Sequence, residues 1–195
     1  MMKSHFFAYI SRMRFIQRWA LMRNTAQENV QEHSHQVAVL AHALALIRRE
    51  ILGLEGPEPD RCAVAALYHD ATEILTGDLP TPIKYYNSTI KEAYKQVEQI
   101  AANRLLDLLP QQLRACYEPL MMETEPEVKR IVKAADKLSA YIKCVEEQKA
   151  GNSEFESATA QALESMRSMQ MPELDWFIAQ CLPAFSRNLD QLGIQ

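Results

Sequence analysis

Glycine occurs at only five positions, Gly53, Gly56, Gly77, Gly151 and Gly193, and the two closest stand three apart. Neither G-x-G-x-x-G nor G-x-x-x-x-G-K-[ST] can therefore be written anywhere in the chain, which excludes the glycine-loop routes to a nucleotide phosphate. The same scarcity removes the residue that tight hairpin turns favour. Against it stand 24 Ala and 21 Leu, with only 12 Ile and 8 Val. Helix formers thus outweigh the β-branched residues that fill strands, and an all-α fold is expected. The 195 residues, 48% of them hydrophobic, suit one domain with a sizeable core. No repeat, low-complexity tract or linker divides them, so residues 1–195 are read as a single helical domain.

A formal charge of −4 and a pI near 5.8 give no basic footprint for polymeric nucleic acid. The four cysteines, Cys62, Cys116, Cys144 and Cys181, form no C-x-x-C, which favours a reduced chain over a disulfide framework. The uncharged stretch from Ser34 to Ile47 is too short to span a bilayer and carries His35 and His42. Lys3, His5, Arg12 and Arg14 interrupt the apolar residues at the start, unlike a signal peptide. A soluble, cytoplasmic protein without a membrane partner is expected.

Helical spacing of Phe6, Ile10 and Met13 predicts a first helix from Ser4 to Arg18, followed by a connection from Trp19 to Glu28. Asn29-x-x-Glu32 reads as a capping box for a second helix reaching Leu52, with Val30, His33, Val37, Leu40, Leu44 and Ile47 facing inward. After the turn Gly56-Pro57-Glu58-Pro59, Asp60 is the expected N-cap of a helix from Arg61 to Leu75. From Cys62 to Tyr68 that helix is apolar all round, as for a helix at the centre of a bundle. Thr76 to Asn87 is expected to be irregular, with helices over Ile90–Leu109 and, more weakly, Gln111–Met122. Pro126 opens a long helix to Lys149, closed by Gly151-Asn152. Helices over Ser153–Ser168 and Glu173–Asp190 finish the chain, the last interrupted near Pro183.

Three places carry residues suited to chemistry. His33 lies on the inward stripe, whereas His35 and His42 point to the polar side. A lone inward histidine is as a rule a hydrogen-bonded core residue. His69-Asp70, however, ends a helix whose preceding residues are apolar, and a buried carboxylate there needs a cation. Glu73 follows Asp70 by three residues, which on a continuous helix puts it on the same side; a helix-end salt bridge is the bland alternative. Asp136 stands at the margin of the stripe Val128, Ile131, Ala135, Leu138 and Ile142, in a helix interior where aspartate is unfavourable. Two imidazoles and two carboxylates from three helices form a mixed N/O set suited to a first-row divalent metal. Such a set leaves positions for water and a substrate oxygen, as Lewis-acid catalysis requires.

The order His33, His69-Asp70, Asp136 resembles the HD superfamily of metal-dependent phosphohydrolases. The likeness is closest to the bacterial 5'-deoxynucleotidases. It rests on Ser4-His-Phe-Phe7, Arg18-Trp19, Glu28-Asn-Val-x-Glu-His-Ser34, Tyr68-His-Asp-Ala-x-Glu-Ile-Leu-Thr-Gly-Asp-Leu-Pro-Thr-Pro82 and Ala135-Asp-x-Leu-x-Ala-Tyr141. The resemblance implies an HD-type helical bundle that hydrolyses 2'-deoxyribonucleoside 5'-monophosphates to deoxynucleoside and phosphate. It implies one divalent metal, cobalt, manganese or another first-row ion, on His33, His69, Asp70 and Asp136. Of these, His33, Asp70 and Asp136 would also face the substrate. Arg18 would orient the phosphate, which suits a planar guanidinium. Trp19 would exclude a ribose 2'-hydroxyl, Glu73 would position or deprotonate the attacking water, and Asp78, Leu79, Pro80 and Thr81 would contact the nucleoside. Lys84 is a further cation for phosphate, ranked below Arg18.

For Arg18 and Trp19 taken alone, a surface charge and a core plug are the simpler readings, and the resemblance reverses that preference. An HD-fold phosphodiesterase or nucleoside triphosphate hydrolase is the enzymatic alternative. The triphosphohydrolase calls for more cations than Arg18 obviously supplies. A helical metal-binding module without turnover is the non-enzymatic one. The apolar C-terminal residues Trp176, Phe177, Ile178, Leu182, Phe185 and Leu189 either pack on the core or form a homodimer interface, which the resemblance favours.

Overall fold

The computed structural model describes residues 4–84 and 86–193, and of Thr81 and Pro82 only the backbone. Among these residues there is no strand, only an isolated antiparallel bridge between Gln17 and Asn29. The helices are α1 (Phe6–Ile10), α2 (Val30–Leu46), α3 (Pro59–Tyr68), α4 (Glu73–Thr76), α5 (Thr81–Lys84), α6 (Ser88–Leu106), α7 (Gln111–Met121), α8 (Pro126–Lys149), α9 (Glu156–Arg167) and α10 (Pro172–Gln180). The all-α expectation holds.

The best-specified element is α2. Asn29 accepts hydrogen bonds from the amides of Gln31 and Glu32, while the Glu32 carboxylate reaches back to the Asn29 amide, so the capping box forms as the sequence predicts. Its inward stripe is buried along its length and meets α3, α8 and α10 in the main core, where Leu44, Cys62, Ile131, Leu138, Ile142 and Leu174 are inaccessible to solvent. A second cluster forms around Phe6, Leu105, Leu106 and Leu109, and a third around Met13, Val30 and Ala71; Ile10, Tyr68, Ile74 and Met121 join the two.

Several expectations need correction, among them the irregular segment from Thr76 to Asn87, which contains the short helix α5. The first helix stops well short of Arg18: α1 tightens into a 3-10 turn over Ser11–Phe15, and Ile16 is extended because it and Gln17 pair with the start of α2. The N-cap of α3 is Glu58 rather than Asp60, with Pro59 in the first turn, where its missing N–H costs nothing. That helix ends at Tyr68 instead of Leu75, and it is not buried all round, since Val64 and Leu67 are exposed. The last helix ends at Gln180, and Pro183 starts a separate 3-10 turn over Leu182–Ser186. Leu174, Phe177 and Leu182 are buried in the main core, with Trp176, Ile178 and Phe185 against it, so these residues take the core-packing alternative, whereas Leu189 does not and is exposed. The four cysteines are unpaired.

The connection from Trp19 to Glu28 is held at both ends and in the middle. Val30 donates to the Ile16 carbonyl and Arg18 to that of Glu28, each at 2.9 Å, closing the loop at its base. Its far side is fastened to α8 by Glu147, which is 1% exposed. That carboxylate accepts from the Thr25 amide and hydroxyl at 2.8 Å, from the Ala26 amide, from Asn152 and from Lys143. Lys143 in turn donates to the Ala26 carbonyl. A buried ion pair whose lone pairs and protons are this fully used is costly to break, because its partner is left charged in a low dielectric.

Glu147→Ala is therefore expected to destabilise the fold by about 3–5 kcal/mol, measured by urea unfolding. Burial alone favours a neutral Glu147, but its hydrogen bonds to Lys143, Asn152 and Thr25 outweigh that and hold the carboxyl well below the usual range. A lowered folded pKa means that the stabilisation is complete above the unfolded value of about 4.3 and is lost as pH falls below it. The wild-type chain should lose this increment on acidification, and Glu147→Ala should show a correspondingly flatter acid limb.

Candidate functional site

The end of α3 turns sharply at His69. Its Nδ1 lies 2.7 Å from the Ala66 carbonyl, the acceptor that a continuing α-helix reserves for the Asp70 amide. The backbone instead closes three-residue turns, Ala71 to Tyr68 at 3.1 Å and Glu73 to Asp70 at 3.0 Å, before α4 begins at Glu73. The continuous-helix placement of Glu73 beside His69 and Asp70 is thus wrong in mechanism. The tight turn, not helical periodicity, brings them together.

With Nδ1–H given to Ala66, a neutral His69 carries its lone pair on buried Nε2, where in that tautomer no donor satisfies it and a cation, whether proton or metal, must. His33, fully buried on α2, repeats the pattern. Ser139 Oγ donates to Gln36 Oε1 at 2.6 Å and so accepts from His33 Nδ1 at 3.1 Å, with Glu28 Oε1 a further 3.8 Å from that nitrogen. Both outer contacts favour a proton on Nδ1 and a lone pair on Nε2. That Nε2 faces Asp136 Oδ1 of α8 at 3.1 Å and Asp70 Oδ2 at 3.6 Å, and Asp70 Oδ2 lies 3.1 Å from His69 Nε2. Ligand atoms of His33, His69 and Asp136 all lie within 4.8 Å of one another. Acceptors facing acceptors need a cation between them, and imidazole nitrogen with carboxylate oxygen is a donor set for a first-row divalent ion. The residues fit a metal.

The electrostatics agree. Burial lowers the His69 pKa, but the Asp70 carboxylate, with Asp136 behind it, raises it to about 9, so a proton compensates the carboxylates. Burial raises Asp70, yet His69, His33 and Arg18 hold it well below the usual range. Glu73 is 6% exposed, and its Oε2 is buried without a partner. Burial first, then Asp70 and Asp78, push it up to about 9.

Arg18 and Trp19 leave the Gln17–Asn29 bridge side by side. Arg18 Nη1 is 3.5 Å from Asp70 Oδ2, and its Nε donates to Glu28 Oε2 at 3.2 Å. Burial works against its charge, but Asp70, Asp136, Glu28 and Asp78 raise its pKa above the ordinary value. Trp19 has φ of +59°, in the left-handed region, which costs a residue with a side chain about 1–2 kcal/mol. Its indole Nε1 donates to the same Glu28 oxygen at 2.7 Å, and its ring lies 5.4 Å from that of Phe155.

A family model for 5'-deoxynucleotidase YfbR-like proteins matches residues 5–185. The chain belongs to this family. It is 49% identical to a 5'-deoxynucleotidase of Erwinia tasmaniensis over 99% of this chain and 98% of that one. It is 48% identical, with the same coverage, to 5'-deoxynucleotidase YfbR of Salmonella paratyphi B. Among solved structures, an HD-domain phosphohydrolase from Listeria innocua superposes with a TM-score of 0.78 at 24% identity, covering 93% of this chain and 88% of that one. An HD phosphohydrolase of cyanophage S-2L, bound to dA and one catalytic Zn²⁺ ion, superposes with a TM-score of 0.65 at 20% identity over 90% and 95% of the two chains. The HD-type bundle is therefore the fold of this family member.

Of the residues singled out in its sequence, His33, His69, Asp70, Glu73, Asp136, Arg18 and Trp19 come together. Gly77 ends α4 at φ +73° and releases the chain to Asp78, whose carboxyl burial pushes up while Arg18 opposes the shift. Leu79 and Pro80 are half-buried beyond it, and the Pro80 carbonyl accepts the amides of Ile83 and Lys84 in α5. The Thr81 side chain lies outside the described residues. Lys84 is held by Glu98 at 2.7 Å and lies over the Tyr94 ring. Glu28 and Ser139, which orient the others, had no role assigned from sequence. A carboxylate two positions before a helix's first inward position carries no periodic signal.

Added Co²⁺ or Mn²⁺ is expected to raise the melting temperature of the metal-free protein, since an ion that binds only the folded state stabilises it. Asp136→Ala should abolish the shift, and an undiminished shift in that variant would refute the metal set.

Proposed function

We infer that the protein is a metal-dependent 5'-deoxynucleotidase, hydrolysing 2'-deoxyribonucleoside 5'-monophosphates to deoxynucleoside and phosphate. Near-full-length identity of 48–49% to 5'-deoxynucleotidases supports the activity. The observation that carries the mechanism is one cluster of inward-facing acceptors beside the half-buried Arg18. His33, His69, Asp70 and Asp136 hold one first-row divalent ion. The single Zn²⁺ in the cyanophage relative supports one ion per site, with cobalt and manganese as further candidates here. A bound ion supplies Lewis acidity toward phosphate oxygens and water.

Glu73 takes or orients the proton of the attacking water through its unpartnered Oε2. Burial, and after it Asp70 and Asp78, keep this carboxyl protonated, and positive charge held by His33, His69, Asp70 and Asp136 would oppose the Asp70 part of that shift. Arg18 presents its terminal nitrogens to the phosphate, and Trp19 closes on the sugar where a ribose carries its 2'-hydroxyl. Asp78, Leu79, Pro80 and Thr81 wall the nucleoside. Glu98 holds the other nearby cation, Lys84, which suits a monophosphate better than a triphosphate.

The reading extends to one domain, supported by a family match over 5–185. It also extends to a homodimer, with an interface away from the C-terminal residues now found in the core. It extends to a cytoplasmic location as well; no helix among the described residues is long and apolar enough to cross a membrane.

Phosphate release from matched deoxy- and ribonucleoside monophosphates with Mn²⁺ or Co²⁺ tests the reading. Release is expected from the deoxy substrate in preference. Equal rates would refute the Trp19 gate, and no release from either would point to a binding module. Glu73→Gln should keep the metal and lose about 10²–10⁴-fold in kcat. Full turnover in that variant would refute the proton role.

A further inference from the structure

Glu28 has no part in the reaction as derived above, yet its contacts concentrate on the residues that do. One carboxylate oxygen accepts from both Arg18 Nε and Trp19 Nε1, and the other stands 3.8 Å behind His33. The main chain repeats the connection, since the Glu28 carbonyl accepts the Arg18 amide at 2.9 Å and Asn29 bridges Gln17. The side chain is 12% exposed, so these bonds are poorly exchanged for bonds to water.

The two hydrogen bonds act differently. A guanidinium is a rigid plane, so fixing Nε sets the direction in which its terminal nitrogens reach. An indole has a single donor, and a ring packed at a tilt against Phe155 and tethered at Nε1 has little freedom to rotate about its side-chain bonds. The left-handed backbone at Trp19 makes that tether more consequential, because the local conformation is not one the residue adopts by itself. A wall that excludes one hydroxyl group discriminates only as far as it cannot yield.

We propose that Glu28 is a positioning residue that sets the discrimination between deoxyribose and ribose, by tethering the Trp19 indole in place while aiming Arg18. This rests on the roles given above to Trp19 and Arg18. A substrate with a 2'-hydroxyl gains from a loosened indole, whereas a deoxy substrate loses some positioning; the two therefore move unequally when the tether is cut.

The test is kcat/KM for dAMP and AMP in the metal-loaded enzyme and in Glu28→Ala, Glu28→Gln, Trp19→Phe and Trp19→Ala. Glu28→Ala and Trp19→Phe, which cut the same hydrogen bond from its two ends, should each lower the deoxy-to-ribo ratio about tenfold. Their double variant should fall no further than either alone, the signature of a shared interaction. Glu28→Gln keeps an acceptor oxygen and should restore most of the ratio. A ratio preserved in Glu28→Ala, with both substrates slowed equally, overturns the proposal and leaves a purely structural residue. Should Glu28→Ala fail to fold, an unchanged ratio in Trp19→Phe overturns it equally. Trp19→Ala separates this from the underlying reading, because an unchanged ratio there refutes the gate itself, whereas a collapsed ratio with Glu28→Ala unaffected refutes only the tether.

Discussion

Buried acceptors that face one another are the constraint around which the molecule is arranged. His33 and His69 each give their outer proton to a fixed oxygen, Ser139 Oγ and the Ala66 carbonyl, and so turn an unshared pair inward on two aspartates. No rearrangement of hydrogen bonds within the cluster can satisfy all of these groups, because none of them has a donor to offer in that tautomer. A cation must supply what is missing, whether a proton on His69 or a metal ion. The second-row oxygens are as much a part of the design as the ligands, since they decide which nitrogen is available.

The scaffold meets this demand with rigid elements on two sides and a fastened loop on the third. Helices α2 and α8, whose inner faces fill the main core, bring a fully buried His33 and, from the core margin, a partly exposed Asp136. Arg18 and Trp19 come from a connection with no regular structure, a poor platform for positioning by itself. Its order is imposed by a two-bond bridge at the base and by Glu147 and Lys143 on α8 at the far side. The same helix thus carries Asp136 and the anchor of the loop that bears Arg18 and Trp19.

What could be read from the sequence follows from which signals are periodic. The inward register of His33, the capping box at Asn29 and the marginal position of Asp136 are all properties of long helices, and each is found as expected. The arrangement after Tyr68 was illegible by the same method, because a helical wheel assumes a continuing helix and no glycine or proline marks the break. It is the His69 imidazole that claims the Ala66 carbonyl and turns the chain. A helical expectation for Arg18 fails for a related reason: a two-residue bridge across a loop leaves no pattern in composition. Glu28 carries no sequence signal because its importance is a matter of three contacts in space, visible only once the bridge has folded the segment back on itself.

The charge balance gives the glycine scarcity its functional meaning. Glycine-rich loops hold phosphate with backbone amides, which are neutral and always present. Here Arg18 is surrounded by Asp70, Asp136, Glu28 and Asp78, so the neighbourhood is negative before any substrate arrives. A phosphate dianion entering it meets net repulsion, and one guanidinium already engaged by two carboxylates cannot reverse that. A divalent ion on the inward-facing acceptors changes the sign of the balance at the point where the phosphate must sit. With an ion held there, metal occupancy and substrate affinity would be thermodynamically coupled, each strengthening the other by the same factor. The acidic cluster that makes the site look hostile to an anion is what would retain the cation that admits it.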